Sequence, residues 1–216
     1  MSISFAKLIN KTIAVWCALL CATCFGQDNR NQLQKINNSQ QNDLLVLKGI
    51  ENYINGLKSL SASFSETTSR NNDVNKGYIY IKRECLNGKT VVKIDYKTGA
   101  LLSASLNGRF LKLTNRKTRK SQTYSILTTP LYALLAGKLS FKDFSYTVLE
   151  NSRQRVKVQI VYEKQTFNLT FRKNNNKVDK LLFWLVSSDK GWAEVVFDDK
   201  NYYENDLSKI PDSTFS

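Results

Sequence analysis

The chain has no histidine. That absence removes the commonest general acid–base and the Ser-His and Cys-His nucleophile pairs. It also removes almost every zinc site, because a lone thiol cannot replace the missing ligands. Cysteine is nearly absent too. Three of the four, Cys17, Cys21 and Cys24, sit near the start, which leaves Cys85 without a partner for an internal disulfide. Phosphate-cradling and dinucleotide-binding glycine motifs are missing. There is no internal repeat. Asp198-Asp199 and Glu204-Asn205-Asp206 lack the spacing of a calcium loop or a catalytic carboxylate pair and read as exposed turns. Asn168-Leu169-Thr170 matches a glycosylation sequon, but it falls inside a predicted strand. What remains is a binding protein rather than an enzyme, and no cofactor is expected.

Long apolar runs are also missing, with one short exception. Ile13 to Ala22 is an apolar stretch behind Lys7 and Lys11, and Thr23-Cys24-Phe25-Gly26 supplies small residues before Gln27. Cation, short apolar core and small-residue exit make an export signal, too short for a transmembrane helix. The expected cut follows Gly26, or alternatively Cys24; the competing reading is a retained N-terminal anchor. Lipidation of Cys24 is a further alternative, although Thr23 fits poorly as the residue before the acceptor cysteine. Removal of 1–26 leaves 190 of the 216 residues, enough for one domain with a real core. Two of the 32 basic residues and none of the 18 acidic ones lie in 1–26, so the remainder carries +12. Its lysines are scattered, as on a solvated surface. The densest cluster, Arg116-Lys117-Thr118-Arg119-Lys120, reads as a charged hairpin tip. Nucleic acid is not an expected partner for an exported chain.

Residues 27–42 are rich in Asn and Gln and read as a flexible leader before a domain over 43–216. Asn42 or Asp43 can cap a helix whose stripe is Leu44, Leu47, Ile50, Ile54 and Leu57. From Leu60 the period changes to two. Strands are predicted over 61–68, 76–82, 90–96, 101–106, 110–115 and 122–127, then over 146–149, 155–162, 166–172, 180–187 and 192–198. Asn71-Asn72-Asp73, Asn87-Gly88, Thr98-Gly99, Asn107-Gly108 and Asn174-Asn175-Asn176 read as turns, so neighbours are mostly antiparallel. Midway, Thr129 to Gly137 breaks the alternation. Thr129 can cap, Pro130 suits the first helical position and Gly137 suits a left-handed exit. Leu131 to Ala136 is apolar throughout, so this short helix must cover something greasy.

Gly77-Tyr78-Ile79-Tyr80-Ile81-Lys82-Arg83 is the most informative strand. Both of its side-chain sets are apolar, so both faces are expected to be covered, as in a cavity wall, and it stops on two cations. Leu57-Lys58-Ser59-Leu60-Ser61-Ala62-Ser63-Phe64 precedes it. Ile94-Asp95-Tyr96, Leu106-Asn107-Gly108-Arg109-Phe110-Leu111 and the Thr129–Gly137 helix follow in order. This ordered set resembles the LolA family of periplasmic lipoprotein carriers, over roughly Asn42 to Phe215. The resemblance implies a mainly β fold: an unclosed antiparallel β-barrel of about ten or eleven strands, with an N-terminal helix and a short lid helix over a hydrophobic cavity. It implies a monomer that takes acylated lipoproteins from an inner-membrane ABC transporter, shields their acyl chains and hands them to an outer-membrane receptor.

By the same resemblance Arg83 is the lid latch, bonding backbone carbonyls of the lid helix through its planar fork. The cavity and lid are expected from Phe64, Ile79, Ile81, Ile94, Leu102, Phe110, Leu131, Leu134 and Leu135. Two departures stand out. Glu84 replaces the family's Pro and could pair with Arg83, and the aromatic residue common near Ile94 is absent. Competing readings are an outer-membrane receptor of the same fold, a periplasmic lipid-binding sensor, and a basic surface protein that binds anionic membranes.

Overall fold

A computed structural model of the protein describes residues 31–69, 71–85, 89–98, 102–107, 110–126 and 129–215. Eleven antiparallel strands form one sheet that does not close on itself. A first meander runs β1 (Ser59–Thr68), β2 (Asn71–Cys85), β3 (Lys89–Tyr96), β4 (Leu102–Asn107), β5 (Phe110–Asn115) and β6 (Ser121–Ser125). A second runs β7 (Ser145–Asn151), β8 (Arg155–Tyr162), β9 (Gln165–Asn174), β10 (Lys177–Ser188) and β11 (Gly191–Glu204). β1 pairs with β11 and joins the two, which leaves β6 and β7 as the edges. The chain passes from one edge to the other through the helix α2 (Pro130–Ala136). The first helix, α1 (Asn31–Gly56), lies against β10 and β7. No helix among the described residues is long and apolar enough to cross a membrane.

Cross-strand register sets the inner face. Leu60, Ala62, Phe64 and Glu66 pair with Ile81, Ile79, Gly77 and Asn75 on one side. Beyond them, Ile79 and Ile81 pair with Ile94 and Val92, which pair with Ala104 and Leu106. In the second meander Val156, Val158 and Ile160 oppose Phe171, Leu169 and Phe167. All of these apolar residues are buried except Ile94, which is half-buried. Leu47, Ile50 and Ile54 of α1 and Ala133, Leu134 and Leu135 of α2 join the same core.

Gly77 shows how tightly the inner face is built. A Cβ there would lie 2.6 Å from the Asp95 carbonyl oxygen and 2.8 Å from the Phe64 ring. Glycine lets the Phe64 ring lie across β2 and meet Tyr96 edge-on, with ring centroids 5.4 Å apart.

Several elements differ from the sequence reading. α1 starts at Asn31, so it runs through most of the segment read as a flexible leader. Its glutamines and Lys35 are good helix formers, and extending a helix already anchored by tertiary packing costs little. Asn71, read as a turn, already pairs with Thr68 in β2. β11 continues past Asp198 to Glu204 through a register shift opposite Ala62 and Phe64, so Glu204 belongs to a strand and is not an exposed turn. The outer face of β2, expected to be covered, is left partly open among the described residues. Tyr78 and Tyr80 stand there half-exposed and stacked on each other, with centroids 6.2 Å apart. The sequon is sequestered in the fold, with Asn168 and Thr170 both buried.

Candidate functional site: a two-helix clasp over the inner face

Arg83 follows Ile79 and Ile81 on the inward side of β2, and it is buried. Its guanidinium reaches the C-terminal ends of both helices. Nε donates to the Leu135 carbonyl at 3.0 Å and one terminal nitrogen to Leu134 at 2.7 Å, both on α2. The other terminal nitrogen donates to Leu57 at 2.9 Å and to Ile54, at the end of α1. The last carbonyls of a helix have no partner inside it and carry its partial negative charge. One planar cation thus satisfies orphan acceptors from two helices, which a single ammonium could not span. Burial lowers the guanidinium to about 10, with Tyr53 and Tyr202 pulling the other way, so it stays charged at neutral pH.

The local sequence of α2 shapes the other half of the clasp. Thr129 caps the helix, accepting from Tyr132 N–H at 3.2 Å, and Pro130 occupies the first turn. Gly137 ends it in the left-handed region at φ 67°. A Cβ at Gly137 would lie 2.6 Å from an Arg83 terminal nitrogen. This glycine is therefore needed twice: for its backbone angle, and for the space the guanidinium fills.

Two α1 side chains extend the clasp, and sequence reasoning missed both. The Asn55 carboxamide donates to the Leu139 carbonyl at 2.9 Å and accepts from Leu139 N–H at 2.8 Å. Glu51 accepts from Phe141 N–H at 2.8 Å. Both lie on α1 one helical turn apart, and the chain that leaves α2 is stitched to them. The only signal in the sequence was their position beside the apolar stripe.

The predicted site residues do not all converge. Phe64, Ile79 and Ile81 are buried on the inner face with half-buried Ile94 beside them, and Leu134 and Leu135 of α2 are buried in the same core; Leu131 is half-buried. Phe110 does not join them. It pairs with Asn107 on the face opposite Leu111 and is 45% exposed, whereas Leu111 packs against the core. The alternation was read one residue out of step there, and such a slip exchanges the two faces. The side chains of Leu102 and Glu84 lie outside the described residues, as do 1–26 and the Asn87-Gly88 turn.

Two carboxylates, buried Glu66 and half-buried Glu204, were not anticipated as part of the interior. Glu66 accepts from Tyr96 Oη at 3.1 Å and from the Asn75 amide at 3.2 Å, and burial raises its pKa. Glu204 accepts from Tyr53 Oη, which lies 2.9 Å from Tyr202 Oη and accepts from Leu181 N–H at 3.0 Å. Burial raises Glu204 as well. This second network ties the last turn of α1 to β10 and β11.

No protein-family model and no curated protein sequence matches the chain. Solved structures do resemble it. A LolA superfamily protein from Nitrosomonas europaea aligns over 80% of this chain and 96% of its own, at 12% identity and TM-score 0.42. The Mycobacterium tuberculosis lipoprotein LppX aligns over 80% and 99%, at 10% identity and TM-score 0.43. The Pseudomonas aeruginosa MucA/MucB complex aligns over 74% of this chain, at 11% identity and TM-score 0.42. The chain spans 57% of the length of that matched partner.

Proposed function

We propose that the protein is an exported carrier that shields the acyl chains of lipoproteins on the inner face of its sheet. In this reading residues 1–26 are the export signal and the carrier domain follows the polar segment 27–42, over 43–216. The carrier receives cargo from an inner-membrane lipoprotein-releasing ABC transporter and delivers it to an outer-membrane receptor. It works as a monomer, without a cofactor, and catalyses no reaction.

The observation that carries this reading is the Arg83 clasp. It joins two helix ends over a largely apolar surface through hydrogen bonds. Among the described residues Arg83 has no carboxylate partner. A clasp made only of neutral acceptors closes the lid when the protein is empty and can still be broken.

The energies are comparable on both sides. Exposing Leu134 and Leu135 costs about 3–6 kcal/mol together, and roughly eight acyl methylenes at about 0.8 kcal/mol each match it. Acyl chains can therefore replace α2 on the sheet without a large net change, which suits a carrier that must release what it holds. Mass spectrometry of an organic extract of the purified protein tests this. An acylated lipopeptide is the expected finding. An extract free of acylated species, from cells that make lipoproteins, contradicts the reading.

A further inference from the structure

A concave site lies beside α1. It is a groove of about 800 Å³ between α1 and the turns at the ends of β7–β8 and β9–β10. Leu45, Val46 and Val178 supply its apolar lining. Arg153, Lys173 and Lys177 stand around it, and no carboxylate lines it among the described residues. Nearby, Asp179 pairs with Arg172 at 3.1 Å and Glu150 accepts from Ser152 Oγ at 3.2 Å. Arg153 and Lys177 are exposed and form no ion pair among the described residues.

The walls are preformed. Asn175 and Asn176 both have positive φ, at 49° and 62°, the geometry of a tight two-residue hairpin. Lys173 Nζ ties that hairpin to the neighbouring turn by donating to Asn151 Oδ1 and to the Ser152 carbonyl, both at 2.8 Å.

We infer that this groove is a docking site for an acidic peptide segment of a partner protein, one that carries an apolar side chain among its carboxylates. Charge complementarity supplies the argument for the acid. The carboxamides of Asn42, Asn52 and Asn176 supply the argument for a peptide, because each can donate and accept, as a peptide backbone does. A lipid phosphate offers acceptors alone, and a flat bilayer cannot follow a concave wall. Tyr53 lines the groove one residue before Ile54, whose carbonyl Arg83 holds, so the groove adjoins the clasped end of α1. The inference does not depend on what the inner face carries.

The test is fluorescence anisotropy of the purified protein with a labelled eight-residue glutamate peptide bearing one central leucine. Binding is expected to weaken with salt, and to weaken about tenfold or more when Arg153→Glu and Lys177→Glu are combined. Leu45→Ser should weaken it independently. All three positions are exposed, and an unchanged thermal midpoint verifies that the variants fold. No binding, or equal binding by the double variant, overturns the inference. So does cation-dependent binding of phosphatidylglycerol vesicles with no response to the peptide, which would make this a membrane-facing surface.

Discussion

Replacing Arg83 by methionine keeps the apolar stem and deletes the fork. Four carbonyl oxygens then lose their donor: Leu134 and Leu135 on α2, and Ile54 and Leu57 at the end of α1. Hydrogen bonds to a charged group contribute about 1.5–3 kcal/mol each, so a simple sum exceeds about 6 kcal/mol. Part of that is offset, because a cation buried without a carboxylate costs several kcal/mol that methionine does not incur. Water reaching the freed carbonyls offsets more. A net loss of about 3 kcal/mol in the closed state is expected. That converts to roughly a hundredfold faster hydrogen exchange of the α2 amides, at about 1.4 kcal/mol per factor of ten. Urea unfolding should show a lower midpoint alongside it. Arg83→Lys should fall between, since three donors on one nitrogen cannot span four acceptors on two helices. Unchanged α2 protection together with an unchanged midpoint in Arg83→Met would refute the clasp.

Four further outcomes follow from the same geometry. Gly137→Ala combines a left-handed backbone with a Cβ 2.6 Å from Arg83, so a loss of about 2 kcal/mol in chemical denaturation is expected; parity with the parent would contradict it. Gly77→Ala should cost a similar amount, about 2 kcal/mol, and should alter the near-ultraviolet dichroism of Phe64 and Tyr96 as the ring is pushed off β2. Asn55→Ala should loosen the segment after α2, read as faster exchange of the Leu139 amide, with a cost of about 1–2 kcal/mol. The fourth concerns pH. Burial raises Glu66, so the folded state prefers its proton; that contribution is complete below the ordinary carboxylate range and is lost as pH rises through the raised value. Glu66→Gln should therefore gain stability relative to the parent at neutral pH and show little difference in acid, and a pH-independent difference between the two would disprove the assignment.

How much of this was legible in the sequence depends on how far apart the interacting residues lie. Strict alternation placed β3, β5, β8 and β9 within a residue or two, because one-sided burial writes itself into period two. Caps placed α2 for the same reason: Thr129, Pro130 and Gly137 are local signals. The start of α1 was missed because Asn and Gln look like a solvated leader although they tolerate helix. The end of β11 was missed because Asp198 to Asn201 is polar, and only the bulge opposite β1 explains how the strand goes on. Phe110 was assigned to the wrong face because a single bulky residue at a strand start gives no register. The Arg83 carbonyls on α1, the Asn55 stitch and the Tyr53–Glu204 network join residues from 26 to 151 positions apart, and no local pattern encodes such pairs.

The most direct measurement is transfer of a labelled triacylated lipopeptide out of phospholipid vesicles, followed together with hydrogen exchange at α2. The carrier account predicts that the protein draws the lipopeptide into the supernatant and that α2 amides lose protection as it loads. Lipopeptide that stays with the vesicles at every protein concentration, with α2 unchanged, would contradict it.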